Sequence, residues 1–374
     1  MQFIVSTTAL LKQLQSISGV IAPNTVLPIL ESFLFDIQKG SLTLSSSDME
    51  TSMTTSMTIE AKESCRVAIP AKQLIDILKN LSEQPLAVKI DNDSFIIEIS
   101  SENGKYKLMG EDGNNYPKIP QAEGTEIMIA ASKILNRAIS KSIFAVGNDD
   151  LRPAMNGVYF QINSDGTSFV ATDAHRLVKF TREDLKGNGS ANFIVPRKSV
   201  SQLKSMLPND ETLVSVSYDK NNAFFVTDKV QLVCRLIDAK YPDYQAVIPT
   251  DNPACLTINK EDLLGALKRV QIFANKTTNQ VAFKIAGSSL HVSGQDLDFS
   301  NEANETLTCQ YNGEDLEIGF NSKFLIEMLQ SVDTEMVKLE LSTPSRAGIL
   351  MPDTQEEQEN IMMLVMPIML NSNY

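Results

Sequence analysis

Three side chains able to do chemistry stand within four positions of one another: Asp173, His175 and Arg176, in the run Val170-Ala-Thr-Asp-Ala-His-Arg-Leu177. A carboxylate, an imidazole and a guanidinium at that spacing are the parts of a general acid–base site, with the aspartate orienting the histidine. His175 is one of only two histidines in 374 residues, the other being His291. A hydrolase-like enzyme built on Asp173 and His175 is therefore the first hypothesis. It needs a third reacting group that the sequence cannot place, and there is no Gly-x-Ser-x-Gly elbow and no phosphate-binding glycine loop. Two histidines and four scattered cysteines (65, 234, 255 and 309) have no metal-ligand spacing, so no metal and no cofactor is expected, and the thiols read as reduced and buried.

Around this run the chain repeats itself. Ser6 is placed to cap a helix over 7–19, followed by hairpin signals at Phe33–Ile37 and Ser41–Leu44 joined through Lys39-Gly40. A second helix over 71–81 and strand signals at 86–90, 95–99 and 106–109 complete a first unit that closes at Tyr116-Pro117. The order returns with a helix over 131–145, strands at 158–162 and 168–172, a helix opened by Pro196, and strands at 213–218, 223–226 and 231–236. It returns again with a helix over 260–273 capped by Asn259, a hairpin about Gly287, a helix over 322–331, and strand signals leading to Met362–Leu370. Ile69-Pro-Ala-Lys72 matches Val195-Pro-Arg-Lys198 at an offset of 126 residues, while Tyr116-Pro117 matches Tyr241-Pro242 and Asp48 matches Asp173 at 125. Lys198 to Lys323 is again 125, although the third copy lacks the proline before its second helix. Such a period denotes three copies of one α+β unit, each with two helices and about eight short strands. The expected domains are 1–122, 126–249 and 253–374, with polar linkers at 121–125 and 249–253. The position two residues after Asp48 is Glu50, so the aspartate belongs to the repeat and His175 only to its second copy.

Charge is unevenly distributed. The chain carries a formal net charge of −13, yet the six helical segments hold 14 Lys and Arg against 4 Asp and Glu. Lys133, Arg137 and Lys141 fall at i, i+4 and i+8 of one helix with no acid in that helix to relieve them. Segregation of this kind points to a polyanion facing the helices and bound through phosphates without base readout. The residues expected to face it are Lys12, Lys72, Lys79, Lys133, Arg137, Lys141, Arg152, Arg197, Lys198, Lys204, Lys268 and Lys276. A scaffold that binds proteins alone is the other alternative to an enzyme. No run reaches the roughly 18 apolar residues of a membrane helix, and nothing at the N-terminus reads as a secretion signal, so a cytoplasmic protein is expected.

The motifs Thr172-Asp-Ala-His-Arg-Leu177, Val195-Pro-Arg-Lys198, Tyr241-Pro-Asp-Tyr244 and Val365-Met-Pro-Ile-Met-Leu370, with Leu27-Pro-Ile-Leu30, resemble the bacterial DNA polymerase III β subunit family, the sliding clamps, along the whole chain. The resemblance implies an α+β fold of three clamp-type domains, each with two helices packed on antiparallel sheets, closing head-to-tail as a homodimer into a six-domain ring around double-stranded DNA. It implies no enzymatic activity but processivity, with the replicative polymerase, the clamp loader and repair proteins held through short peptide motifs. The groove for those motifs carries over onto Met155, Thr172, Ala174, His175, Arg176, Leu177, Pro242, Val247, Asn321, Phe324, Leu364, Met366, Pro367, Ile368 and Met369, and the dimer contact onto Tyr106, Leu108, Ile272 and Phe273. Met369 stands where members often have a basic residue, Ala174 where glycine is common, and Asn371–Tyr374 extends past the usual end. The loop Asn148–Arg152 is acidic close to the DNA path that the resemblance implies.

Overall fold

The computed structural model describes residues 1–23, 25–121 and 125–370. Most of the linker expected at 121–125, and the extension Asn371–Tyr374, lie outside the described residues. The chain divides into two compact units, one of Met1–Asn136 with Lys198–Leu236 and one of Arg137–Arg197 with Ile237–Tyr374.

The first unit holds helices α1 (Thr7–Ile17) and α2 (Ala71–Lys79), most of α4 (Arg197–Met206) and the start of α3 (Ser132–Ser142). The Ser6 hydroxyl accepts from the Ala9 amide at 3.2 Å and caps α1, whose Leu10, Leu14 and Ile17 are buried. A five-stranded antiparallel sheet runs Glu60–Ala61, Gln2–Ser6, Pro85–Ile90, Ile96–Ser100, Lys105–Met109. The nine-stranded sheet beside it runs Glu111–Asp112, Cys65–Pro70, Ser32–Gln38, Ser41–Ser47, Thr51–Thr58, Val230–Arg235, Asn222–Val226, Leu213–Tyr218, Thr125–Ala131. Its middle explains the division of the chain, because Thr51–Thr58 of the first repeat hydrogen-bonds to Val230–Arg235 of the second.

The second unit repeats that device. Arg176–Arg182 of the second repeat pairs with Glu359–Val365 of the third, within a sheet ordered Ala191–Pro196, Gly157–Asn163, Gly166–Thr172, Arg176–Arg182, Glu359–Val365, Gly348–Pro352, Met336–Leu341, Ala254–Asn259, Gln310–Tyr311. A four-stranded sheet of Asn301–Thr308, Ser289–Asp296, Gln280–Ala286 and Leu316–Asn321 lies in the same unit with α5 (Lys260–Val270) and α6 (Ser322–Gln330). Pro70 and Pro196 precede the second helices of the first two repeats; in the third, the Asn321 side chain caps α6 by accepting from the Lys323 amide at 3.0 Å. The lost proline is thus replaced by a side-chain cap.

Several strands escaped the sequence reading, among them Gln2–Ser6, Thr51–Thr58, Thr125–Ala131, Arg176–Arg182, Ala191–Pro196, Ala254–Asn259, Asn301–Thr308 and Leu316–Asn321. Thr51–Thr58 and Asn301–Thr308 are mostly polar, so apolar alternation could not mark them. The apolar run Met362–Leu370 is also not one strand. Pairing ends at Val365, Pro367 can donate no backbone hydrogen bond, and the tail returns only in a bridge between Ile368 and Gly319.

Candidate functional site

The turn at 173–176 is built by local hydrogen bonds. Asp173 Oδ1 accepts from the His175 and Arg176 amides, both at 3.0 Å. The Thr172 hydroxyl donates to the Arg176 carbonyl at 2.7 Å and accepts from the Ala174 amide at 3.1 Å. Ala174 sits at φ 74, the left-handed region where glycine carries no Cβ penalty, which accounts for the glycine common in the family. The second carboxylate oxygen, Oδ2, accepts from Arg176 Nε at 3.0 Å. The His175 ring instead lies 6.3 Å from the Phe324 ring, 24° from parallel. Asp173 therefore holds the turn and the neighbouring arginine; it orients no imidazole for reaction.

Arg176 is buried, and its guanidinium joins two repeats. Nη1 donates to Glu327 at 2.5 Å and Nη2 to the Phe144 carbonyl at 2.8 Å, while Cζ lies 5.4 Å from the Phe144 ring centroid and 4.6 Å from that of Phe324. Cations at these distances are attracted by the ring quadrupole. The tail closes the other side: the Met366 amide donates to the His175 carbonyl and the Ile368 amide to the Gly319 carbonyl, both at 2.8 Å. A Cβ on Gly319 would meet the Ile368 oxygen at 2.5 Å, so glycine is what admits the tail there. The floor is an apolar cluster of Val170, Leu177, Ile194, Tyr241, Tyr244, Ile349 and Leu364. Tyr159 stacks on Tyr241 at 4.5 Å, and burial raises the Tyr241 hydroxyl well above its ordinary pKa while it donates to the Val170 carbonyl at 3.3 Å.

The residues the family resemblance assigns to the groove are brought together to different degrees. Thr172, Ala174, His175, Arg176, Leu177, Phe324, Leu364, Met366 and Ile368 are linked through the contacts above, and Asn321 caps the helix that carries Phe324. Met155, Pro242 and Val247 adjoin the floor through their neighbours Ala154, Tyr241 and Ile248, which pack on or in the cluster. Met366 and Met369 are exposed, and Pro367 is half-buried. Phe144, Gly319 and Glu327 were not foreseen; no motif marks them, and they emerge only from the 125-residue register or from the folded tail.

The basic stripe of α3 is a correction. Lys141 is buried and donates to Asp333 at 2.6 Å; Arg137 pairs with Glu359 at 2.6 Å, Asp333 at 2.8 Å and Glu356 at 3.2 Å. Lys133 pairs with Glu211. Acids distant in sequence neutralise a stripe that looked unrelieved within its own helix. Glu359, also paired with Arg182, is buried between these arginines. Lys198 is likewise paired, with Asp48, Arg152 with Asp149 at 2.8 Å, and Lys276 donates to the Ile272 carbonyl at 2.7 Å. Arg197 is exposed at the start of α4. Among the described residues, Lys12, Lys72, Lys79, Lys204 and Lys268 are exposed and form no ion pair. The dimer candidates fall on open surface: Tyr106 and Leu108 are half-buried on the edge strand Lys105–Met109, and Ile272 and Phe273 are exposed just after α5. Among the described residues no group of three His, Cys, Asp or Glu could hold a metal ion, and no helix is long and apolar enough to cross a membrane.

Fold and site together define a three-repeat α+β protein whose second and third repeats share a sheet and meet at an apolar cluster. Models of the DNA polymerase III beta subunit match the chain in series: the N-terminal domain at 1–120, the central domain at 130–243 and the C-terminal domain at 245–369. The chain belongs to the DNA polymerase III beta subunit family. It is 26% identical over 366 residues to the beta sliding clamp of Pseudomonas putida, covering 97% of this chain and 99% of that one. The crystal structure of the Pseudomonas aeruginosa sliding clamp superposes with a TM-score of 0.93 at 25% identity over 99% of this chain and 100% of that one. The Thermotoga maritima beta subunit does so with a TM-score of 0.90 at 26% identity over 99% of each. A further Pseudomonas aeruginosa structure, at 25% identity, a TM-score of 0.92 and coverage of 99% and 100%, is of the clamp bound to griselimycin.

Proposed function

We propose that the chain is a non-enzymatic sliding clamp whose homodimer encircles duplex DNA in the cytoplasm and tethers the replicative polymerase, the clamp loader and repair proteins by peptide segments seated in the cleft at 172–177, 321–324 and 364–369. Its three clamp domains would be 1–122, 126–249 and 253–374. The observation that carries this reading is the apolar cluster at this junction together with two exposed methionines in the tail that adjoins it, Met366 and Met369, whose flexible side chains suit varied apolar ligands.

Closure of the ring is supported by what the repeats do within the chain. The tips at 48–51 and 173–176 each sit on the second helix of the following repeat, through Lys198 and Phe324 respectively. The third hairpin tip carries Leu297 and Phe299, exposed at 72% and 73%. A second copy's first repeat would cover it, joining the edge strand Lys105–Met109, with Lys105 and Lys107, to the edge strand Asn301–Thr308, with Glu302 and Glu305. Tyr106, Leu108, Ile272 and Phe273 would then be buried.

Of the helix cations expected to meet phosphate, Lys12, Lys72, Lys79, Lys204 and Lys268 are the exposed ones that form no ion pair among the described residues. Retention on nicked circular DNA tests the reading: the protein should remain on the closed circle and leave when the circle is linearised. Equal retention on both forms would show adhesion rather than encirclement.

A further inference from the structure

Arg176 stands among the residues assigned to the cleft, yet each of its guanidinium nitrogens already has an acceptor: Nε has Asp173 at 3.0 Å, Nη1 has Glu327 at 2.5 Å, and Nη2 has the Phe144 carbonyl at 2.8 Å. Asp173 and Phe144 belong to the second repeat, Glu327 and Phe324 to the third, so the arginine is a clasp across the two walls of the cleft. Without such acceptors a guanidinium edge facing a peptide would capture a carboxylate, often through two hydrogen bonds. The other junction sharpens the point. At the 125-residue register, Arg176 corresponds to Thr51, Glu327 to Gln202 and Phe144 to Gly19. Where no cation is buried there is no counter-ion, and where the cation occurs the acid and the ring occur with it.

We propose that Glu327, assisted by Phe144, is a positioning residue of the cleft: it holds Arg176 flat against Phe324 and withholds its charge from the bound peptide, so that this wall selects apolar over acidic side chains. The proposal rests on the reading of the cleft as a peptide site. The Glu327 side chain is 45% exposed, so neutralising it frees one edge of Arg176 without opening the core.

Two probes test it, a ten-residue neutral peptide bearing Leu and Phe and the same peptide with one Asp beside the Phe, each titrated against the full chain and its Glu327→Gln variant. The original chain should bind the neutral peptide at least as tightly. In the variant the acidic-to-neutral affinity ratio should rise about fivefold, and the gain should fade at high salt. A ratio unchanged in the variant, with both peptides weakened equally, would overturn the proposal, because that is what a merely structural role produces. A second readout needs no peptide. With two histidines in the chain, the ring resonances of His175 and His291 are separable by NMR, and His175 lies against Phe324. Glu327→Gln should move the His175 resonance and leave His291 in place; two unmoved resonances would also overturn the proposal. Failure of both probes to bind the original chain would refute the peptide site itself, while the His175 shift would still decide whether Glu327 places the arginine.

Discussion

The two junctions between repeats share a backbone and differ in chemistry. At the first, Asp48 Oδ1 accepts from the Glu50 and Thr51 amides, Met49 stands at φ 75, and Arg235 donates its amide to the Glu50 carbonyl at 2.8 Å. At the second, Asp173, Ala174, His175 and Met366 do the same. The side chains then diverge. Glu50 and Arg235 form an ion pair at 3.7 Å, and Thr51 shares a hydrogen bond of 2.7 Å with Ser199. Their counterparts are His175, Met366, Arg176 and Phe324. Small and charged groups meet at one junction; rings, a sequestered arginine and an apolar tail meet at the other. One fold thus makes two chemically different joints by changing a handful of side chains on a repeated turn.

The largest expected difference between the junctions comes from deleting equivalent residues. Arg176→Ala strands Asp173 and Glu327 around a lost buried cation and should cost about 3 kcal/mol in unfolding free energy, along with peptide binding. Thr51→Ala removes one hydroxyl contact and should cost about 1 kcal/mol and no binding. Denaturant unfolding of both variants checks the contrast, and equal losses would break it. Next, Gly319→Val should push the tail from its strand and weaken peptide binding by about tenfold, a loss of about 1.4 kcal/mol, measured by calorimetry.

Acid should act on the second unit. Arg182 hydrogen-bonded to Asp184 holds that carboxyl below its ordinary pKa, and at Asp333 the pairing with Lys141 and Arg137 outweighs the burial that opposes it. Carboxyls depressed in the fold stabilise it above their unfolded pKa of about 4 and lose that contribution as pH falls through the lower folded values. Thermal melts of the Asp184→Asn and Asp333→Asn variants should therefore differ from the original near neutral pH and converge with it toward pH 2. A difference that persists unchanged at low pH would remove the ion network from the account. For DNA, Lys72→Glu with Lys79→Glu should weaken retention and lower the salt slope by about two, whereas Arg137→Ala should mainly destabilise the fold. The smallest effect is conformational: Ala174→Gly relieves a left-handed alanine and should shift stability by at most about 1 kcal/mol.

The repeat was legible because Asp48/Asp173, Tyr116/Tyr241 and Lys72/Lys198 keep register in sequence. The groove was assigned by family resemblance, and the structure joins most of its residues around His175 and Phe324. What the sequence could not disclose is long-range pairing. Lys141 meets an acid 192 residues away and Arg137 one 222 residues away, so a count along the helix mistook a paired ion network for an unrelieved stripe. Phe144 and Glu327 were hidden for the same reason, each ordinary on its own helix and significant only beside Arg176.

The central claim is that the second junction alone is a binding site. Calorimetric titration of the Leu- and Phe-bearing peptide into the chain, and into Phe324→Ala and Ser199→Ala variants, tests it most directly. One site per chain, abolished by Phe324→Ala and untouched by Ser199→Ala, is the predicted result; two sites per chain, or binding that survives Phe324→Ala, would contradict it.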